Sequence, residues 1–151
     1  KTWITEGQAF TDQTSLGLHL AEEAVATIAH TVVSSPAEPS GPEFVFSYPV
    51  DDAITLRALL PEMEIEALEL QVEAVLPDGS SQPLLLIREP DPGWPTRYVF
   101  DTPHLLPGGS QIQVTATLPA GAERESVPSL FSSGAPVRLL IDYTSGAVLA
   151  N

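Results

Sequence analysis

Three acidic side chains at alternate positions are the first candidates for chemistry in this chain. Glu62 and Glu64 flank Met63, the single methionine, and Glu66 follows in the segment LPEMEIEA. Alternate side chains of an extended strand point to the same side, so these carboxylates are expected to share one face. Such a row can bind a hard cation, act as an acid/base pair, or form a solvated acidic rim where a strand ends. We expect the solvated rim and keep a bound cation as the alternative.

The other residue types offer few routes to catalysis. The chain contains no cysteine, which excludes disulfides, thiolate metal sites and cysteine nucleophiles. His19, His30 and His104 lie far apart and show no metal-ligand spacing. We expect surface or capping roles for them, with a metal site assembled from distant strands as the alternative. Neither a phosphate-binding glycine loop nor a Gly-x-Ser-x-Gly elbow occurs.

The charge balance limits the kinds of partner. The 151 residues include 20 acids against 6 bases, which gives a formal net charge of −14. Nucleic acids and anionic lipid surfaces both attract basic faces, so we predict no nucleic-acid partner and no direct lipid binding. No apolar stretch approaches the roughly 20 residues that cross a bilayer as a helix. The excess of acids suits solubility, and attraction to a basic partner or to hard cations is the sharper interpretation.

Alternation of apolar and polar residues predicts many short strands. In SQIQVTATL (110–118), the apolar residues at even positions are expected to face inward, and the Gln and Thr residues outward. Strands are also predicted at 43–48, 53–60, 68–76, 83–88, 96–101 and 137–143, with tight turns at 76–79 and 106–109. Residues 16–30 are ambiguous, since their Ala and Glu content favours a helix, whereas the β-branched residues of 25–33 favour a strand. Eight or nine short strands predict an all-β fold, an antiparallel β-sandwich or jelly roll.

Two of these strands carry more specific predictions. In AITLRALL (53–60), the even positions form an apolar row that is expected to face the core. Glu62 and Glu64 keep the same parity, so we expect them to extend that inward row to the rim, before a bend near 66–67. PLLLIR (83–88) has successive apolar residues and is therefore predicted to be a fully buried strand.

The chain is predicted to contain an N-terminal arm, residues 1–13, and a single β-sandwich domain, residues 14–151. The arm has no clear periodicity, yet it contains Trp3 and Phe10. These rings must be buried somewhere, so we expect them to dock on the sandwich or on a partner. Trp94 is expected to anchor the adjoining strand, with sugar stacking or a partner contact as the alternative.

A long segment before the last strand is a second candidate surface. Residues 119–136 have no strand pattern, and loops of this length are usually functional, disordered or interaction surfaces. Leu130 and Phe131 lie at its apolar centre. Together with the arm, this loop gives the predicted partner-binding residues Trp3, Phe10, Leu130 and Phe131.

Several short motifs recur in a fixed order between residues 60 and 118. They are Pro61, Met63, the turn 77–79 (PDG), the leucine run 84–86, Trp94, Tyr98 and the turn 106–108 (LPG). In this order and spacing, the segment resembles the C-terminal domain of copper type II, ascorbate-dependent monooxygenases, which hydroxylate peptidylglycine or dopamine. It is more similar to bacterial relatives of that domain, often found near c-type cytochromes. Residues 11–23 (TDQTSLGLHLAEE) resemble a segment that precedes the domain in those relatives.

The departures from this family affect its chemistry. The resemblance implies two copper-binding histidines where this chain has Glu62 and Glu64, and a glycine where it has Ala67. The family's third copper ligand is a later methionine, and no methionine follows Met63. Copper cycling between its +1 and +2 states needs imidazole and thioether donors, whereas oxygen donors alone hold Cu(I) poorly. The resemblance therefore implies the jelly-roll scaffold without the monooxygenase reaction.

These observations together predict a non-enzymatic protein that needs no cofactor. We expect a structural or accessory subunit of a larger, membrane-bound redox complex that contains cytochromes, with other protein subunits as its partners. The bacterial relatives imply a periplasmic or extracellular setting. One alternative is a metal-binding domain, for copper or calcium, or a monooxygenase-related enzyme with a rebuilt site. Another is an adhesive or carbohydrate-binding sandwich that uses Trp94.

Overall fold

Eight β-strands make up the regular structure of the chain where it is described. The computed structural model describes residues 27–39, 41–121 and 135–145. The strands are β1 (Ala29–Ser34), β2 (Glu43–Val50), β3 (Ile54–Met63), β4 (Glu69–Val75), β5 (Ser81–Arg88), β6 (Tyr98–Leu106), β7 (Ser110–Thr117) and β8 (Val137–Ser145). The described ranges contain no helix that is long and apolar enough to span a membrane.

The strands form two four-stranded antiparallel sheets packed as a sandwich. Sheet A has the order β1-β8-β3-β6, and sheet B has the order β2-β7-β4-β5. Strand β4 pairs with β5, β3 with β6, β2 with β7 and β1 with β8, as in one long hairpin. The hairpin is rolled up, since β8 also pairs with β3 and β7 with β4. This order confirms the predicted jelly roll.

Alternation in sequence builds the core between the sheets. In β7 the even positions, including Ile112 and Val114, are buried, while the Gln and Thr residues between them are more accessible. Strand β4 alternates in the same way, with Leu70 and Val72 fully buried. On β2, Phe44 lies in the core. Burying these apolar faces on both sheets is the main driving force for the fold.

A β-bulge in β3 overturns the prediction of one continuous inward row. The register with both neighbouring strands shifts between Leu56 and Ala58. Against β8, these two residues face the consecutive residues Tyr143 and Asp142, so Arg57 is an extra residue. Because an extra residue reverses the parity of a strand, the core face passes from Leu56 to Leu59 and then Met63. The even positions after the bulge, Glu62 among them, therefore lie on the outer face of sheet A.

Strand β5 is also different from its prediction. It is the edge strand of sheet B, and its burial alternates rather than being complete. Leu86 is exposed, whereas Leu85 and Ile87 pack against the core. The prediction of a fully buried strand is wrong, because an apolar run alone does not show how many neighbours a strand has.

The outer faces of the two sheets differ. In sheet B the central strands β7 and β4 alternate between buried and accessible residues. In sheet A the central strands β3 and β8 are buried on both faces along nearly their whole length. Apolar outer-face residues there, such as Leu60 and Leu140, are buried, while Val99 on the edge strand β6 is 71% exposed. Charged residues of the same strands, Glu62, Arg138 and Asp142, are buried as well.

Candidate functional site

Glu62 lies directly opposite Arg138 on the outer face of sheet A. The two residues are paired across strands β3 and β8, next to Met63 and Val137, which face the core. Facing residues on adjacent antiparallel strands have side chains on the same side of the sheet. The pair therefore results from the bulge, which turns Glu62 outward, and from the rolled topology, which brings the last strand beside β3.

Arg138 binds both glutamates. Its Nε donates to Oε2 of Glu62 at 3.2 Å, and its Nη1 donates to Oε1 of Glu64 at 2.9 Å. Nη1 also donates to the carbonyl oxygen of Ala135 at 3.0 Å. The guanidinium has several donors in a fixed plane, so one arginine can join two carboxylates and a carbonyl group. We call Arg138, Glu62 and Glu64 the Arg138 cluster.

Two of the three charged side chains of the Arg138 cluster are almost completely buried. The side chain of Arg138 is 1% exposed and that of Glu62 is 4% exposed. Removing ions from water is costly, and their mutual attraction and hydrogen bonds must offset that cost. The prediction of a solvated rim is therefore wrong for Glu62. It holds only for Glu66, which is exposed and lies outside the cluster.

The arrangement limits what the two glutamates can do chemically. A cation ligand needs carboxylate oxygens turned towards a shared space. Here one oxygen of Glu62 and one of Glu64 accept hydrogen bonds from a guanidinium that is itself positively charged. A metal ion at this position would have to displace Arg138 or share the carboxylates with it against charge repulsion.

A second charged cluster lies on the same face of sheet A. The Nδ1 atom of His30 on β1 is 2.6 Å from Oδ1 of Asp142 on β8. Arg97, just before β6, pairs with the other carboxylate oxygen of Asp142. Arg97 must cross β3 to reach β8, and the small residue Ala58 is the neighbour of Asp142 on β3. The carboxylate is nearly buried, and its two partners, His30 and Arg97, are more exposed.

The described histidines do not meet. His104 on β6 is hydrogen-bonded to Gln82 of β5 at 2.8 Å, which links the edges of the two sheets. Its ring also contacts Phe100 edge-on, with centroids 4.7 Å apart. His30 contacts Asp142, and His19 lies outside the described residues. Within the described part of the chain, no group of three or more His, Cys, Asp or Glu side chains is arranged to hold a metal ion.

A surface cleft lies beside the end of β3, on the core side of the strand. It has a volume of about 190 Å³ and is lined by Pro61, Met63, Ile87, Glu89, Pro90, Asp91, Pro92, Trp94, Pro95, Thr96 and Tyr98. Most of these residues belong to the connection between β5 and β6, which passes from sheet B to sheet A. Trp94 is 76% exposed, so the prediction that it anchors the adjoining strand by burial is wrong. We call this feature the Trp94 cleft.

The predicted partner-binding residues lie in parts of the chain that the structure does not describe. Trp3, Phe10, Leu130 and Phe131 all lie outside the described residues, as do the N-terminal arm and most of the loop 119–136. They stay predictions. The sequence interpretation missed Arg138 and Asp142, although VRLLIDY places both charges at even positions of an otherwise apolar strand. Two charges on one face of a buried strand indicate buried ion pairs, and this signal was available.

Comparisons with known proteins add no family to these observations. No family model matches the chain, and no curated protein matches it. The resemblance of residues 60–118 to copper monooxygenase domains therefore remains an expectation from the sequence.

Proposed function

We propose that this protein is a non-catalytic β-sandwich module that serves as a structural or accessory subunit of a larger, membrane-associated redox complex containing cytochromes. Its partners are the other protein subunits of that complex. We further propose a periplasmic or extracellular location. The complex and the location are suggested by the resemblance to bacterial relatives found near c-type cytochromes. The non-catalytic role is supported by the chemistry of the Arg138 cluster.

The observation that carries the proposal is the contact of Arg138 with both glutamates. Glu62 and Glu64 stand at the two positions where the resembled family has copper-binding histidines. In this protein both carboxylates accept hydrogen bonds from one buried guanidinium, at 3.2 Å and 2.9 Å. The two positions thus contribute to an internal ion-pair cluster that links β3 to the start of β8.

The same contact explains why a jelly roll would keep acidic residues there. Truncating one partner of a buried ion pair costs about 3–5 kcal/mol, because the remaining charge is left buried without compensation. A scaffold that no longer binds a redox-active ion still has to fill the space with matched groups. Arg138 with Glu62 and Glu64 fulfils that structural requirement.

Surface properties agree with a role in assembly. The formal net charge of −14 gives a field that attracts basic partner surfaces. Trp94, Val99 and Leu105 are large apolar side chains with more than half of their surface exposed. Exposed aromatic and aliphatic residues of this kind are common at protein–protein contacts.

The proposal is tested by solubilising native membranes in mild detergent and separating complexes by size. We expect the protein to migrate in a large assembly whose fractions show haem absorbance, and to be chemically cross-linked to its other subunits. Migration as a free monomer that contains stoichiometric copper and hydroxylates a substrate with ascorbate would contradict the proposal and favour an enzyme with a rebuilt site.

A further inference from the structure

The Trp94 cleft presents an exposed indole on a hydrogen-bonded stretch of backbone. The amide of Gly93 donates to Oδ1 of Asp91 at 2.8 Å, and the amide of Trp94 donates to the carbonyl oxygen of Asp91 at 3.1 Å. The hydroxyl of Thr96 donates to the carbonyl oxygen of Trp94 at 3.3 Å. These bonds hold the backbone on both sides of the tryptophan. A ligand that stacks on the indole therefore meets a largely ordered backbone, which lowers the entropy cost of binding.

The floor of the cleft is apolar and rigid. Pro61 and Met63 come from the buried end of β3, and Ile87 comes from β5. Tyr98 supplies a second aromatic side chain at the start of β6. Grooves lined by aromatic rings are typical of surfaces that bind an extended peptide.

The charged groups of the cleft are acidic. Glu89 and Asp91 carry carboxylates, and none of the described lining residues is basic. Glu89 adopts a positive φ of 48°, which is unusual for a residue other than glycine. The chain as a whole has a formal net charge of −14, so its field also favours a cation. An aromatic face attracts a cationic group, and neighbouring carboxylates add charge-assisted hydrogen bonds to that attraction.

We propose that the Trp94 cleft binds an arginine side chain carried by an extended basic segment of a partner protein. The planar guanidinium stacks on the indole of Trp94 and its N–H groups donate to the carboxylates of Glu89 and Asp91. Arginine fits this role better than lysine because its planar cation stacks on aromatic faces and forms directed hydrogen bonds with carboxylates. The inference rests on the proposed function, since it names the chemistry by which an accessory subunit recognises a neighbouring subunit.

The test uses a fluorescently labelled synthetic peptide in which arginines alternate with glycine and serine. A matched peptide replaces each arginine by citrulline, which keeps the shape of the side chain and removes its charge. We expect the arginine peptide to bind with a saturable change in anisotropy, and the citrulline peptide to bind at least about tenfold more weakly. Added salt weakens the binding of the arginine peptide, because the ion pairs are at the surface.

Variants assign the binding to the cleft. Trp94→Ala and the double change Glu89→Gln with Asp91→Asn are each expected to reduce affinity for the arginine peptide by about tenfold or more. Leu105→Ala and Asp101→Asn are the matched controls, since they remove an exposed apolar group and an exposed charge outside the cleft. The controls should bind the peptide like the native chain. Thermal unfolding of each variant shows whether it is folded.

Tryptophan fluorescence of a further variant tests whether the peptide contacts Trp94. The chain has two tryptophans, so Trp3→Phe leaves Trp94 as the single indole. Its fluorescence should change on saturation with the arginine peptide and stay constant with the citrulline peptide. Equal binding of both peptides, unchanged binding by Trp94→Ala, or saturable Trp94-dependent binding of a glycan in place of the peptide would each overturn the inference.

Failure of this inference can be told apart from failure of the proposed function. If the native protein migrates in a haem-containing assembly but the arginine peptide does not bind, only the role of the cleft is overturned. If the protein is a free copper enzyme, the proposed function fails whatever the peptide does.

Discussion

Arg138 is the residue whose surroundings distinguish an ion-pair cluster from a metal site. Its side chain is almost completely buried, and it contacts carboxylates that are 76 and 74 positions away in the sequence. The sequence shows the acids but not their partner, because strand β8 becomes the neighbour of β3 only through the rolled topology. The alternation of Glu62 and Glu64 correctly predicted that they share a face. It did not predict that Glu62 is buried and that both contact Arg138.

Replacing Arg138 with methionine tests the strength of the cluster. Arg138→Met removes the guanidinium that bonds to the nearly buried Glu62, so we expect the free energy of unfolding to fall by about 3–5 kcal/mol. Urea unfolding monitored by circular dichroism measures the change. Arg88→Met is the matched control, because Arg88 is 80% exposed and its contact with Glu69 is long, at 3.9 Å. A loss below about 1 kcal/mol is expected for the control.

A double variant separates loss of the charge pair from loss of packing. Glu62→Met combined with Arg138→Met removes the buried Glu62–Arg138 pair, keeps side chains of useful size and leaves the more accessible Glu64 in place. Replacing a whole buried ion pair by apolar groups is often neutral or stabilising, so most of the lost stability should return. If Arg138→Met unfolds as easily as Arg88→Met, Arg138 does not stabilise the sheet in the way proposed here.

At the scale of elements, local patterns predicted the strands well and their environments less well. The strict alternation in β7 predicted its buried face correctly, since every even position from Ile112 to Ala116 lies in the core. The bulge at Arg57 was missed, because a single extra residue leaves no mark in a short apolar segment. Strand β5 was assigned too much burial for a different reason, since being an edge strand depends on the other strands of the sheet.

Tyrosines link the two sheets at one end of the sandwich. Tyr48 belongs to β2 in sheet B and Tyr143 to β8 in sheet A. Burial raises the pKa of Tyr143 above its ordinary value of 10.0, and the charge and hydrogen bond of Tyr48 raise the pKa further. The neutral form of Tyr143 is thus favoured by the contact between the sheets.

This raised pKa predicts a loss of stability in alkali. A group whose pKa is higher in the folded state contributes stability below its unfolded pKa, and that stability is lost as the pH rises through the folded value. Over the pH range that starts near the ordinary tyrosine pKa of about 10 and extends above it, the free energy of unfolding should therefore decrease. The free energy of unfolding of Tyr143→Phe, measured by urea titration, should decrease less over the same pH range. An equal decrease in both proteins would contradict the predicted role of Tyr143.

At the scale of the whole molecule, composition and strand count were sufficient to predict a jelly roll. Eight short strands with turns between them gave the fold class, and the pairing of first with last strand agrees with it. The sequence alone does not show which residues meet on the outer face of sheet A. There, Arg138 pairs with Glu62, and Asp142 pairs with Arg97. Those contacts depend on which strands become neighbours, so they require the three-dimensional topology.

The central claim is that Glu62 and Glu64 stabilise the fold through Arg138 and do not hold a metal ion. Thermal unfolding of the native chain, with increasing Cu²⁺ or Ca²⁺, tests it most directly, with Glu62→Gln/Glu64→Gln as the comparison. A ligand bound only to the folded state stabilises it by about 2.7 kcal/mol at a hundred times its Kd. We predict no rise in Tm with either metal. A metal-dependent rise in the native chain that the double variant lacks would contradict the claim.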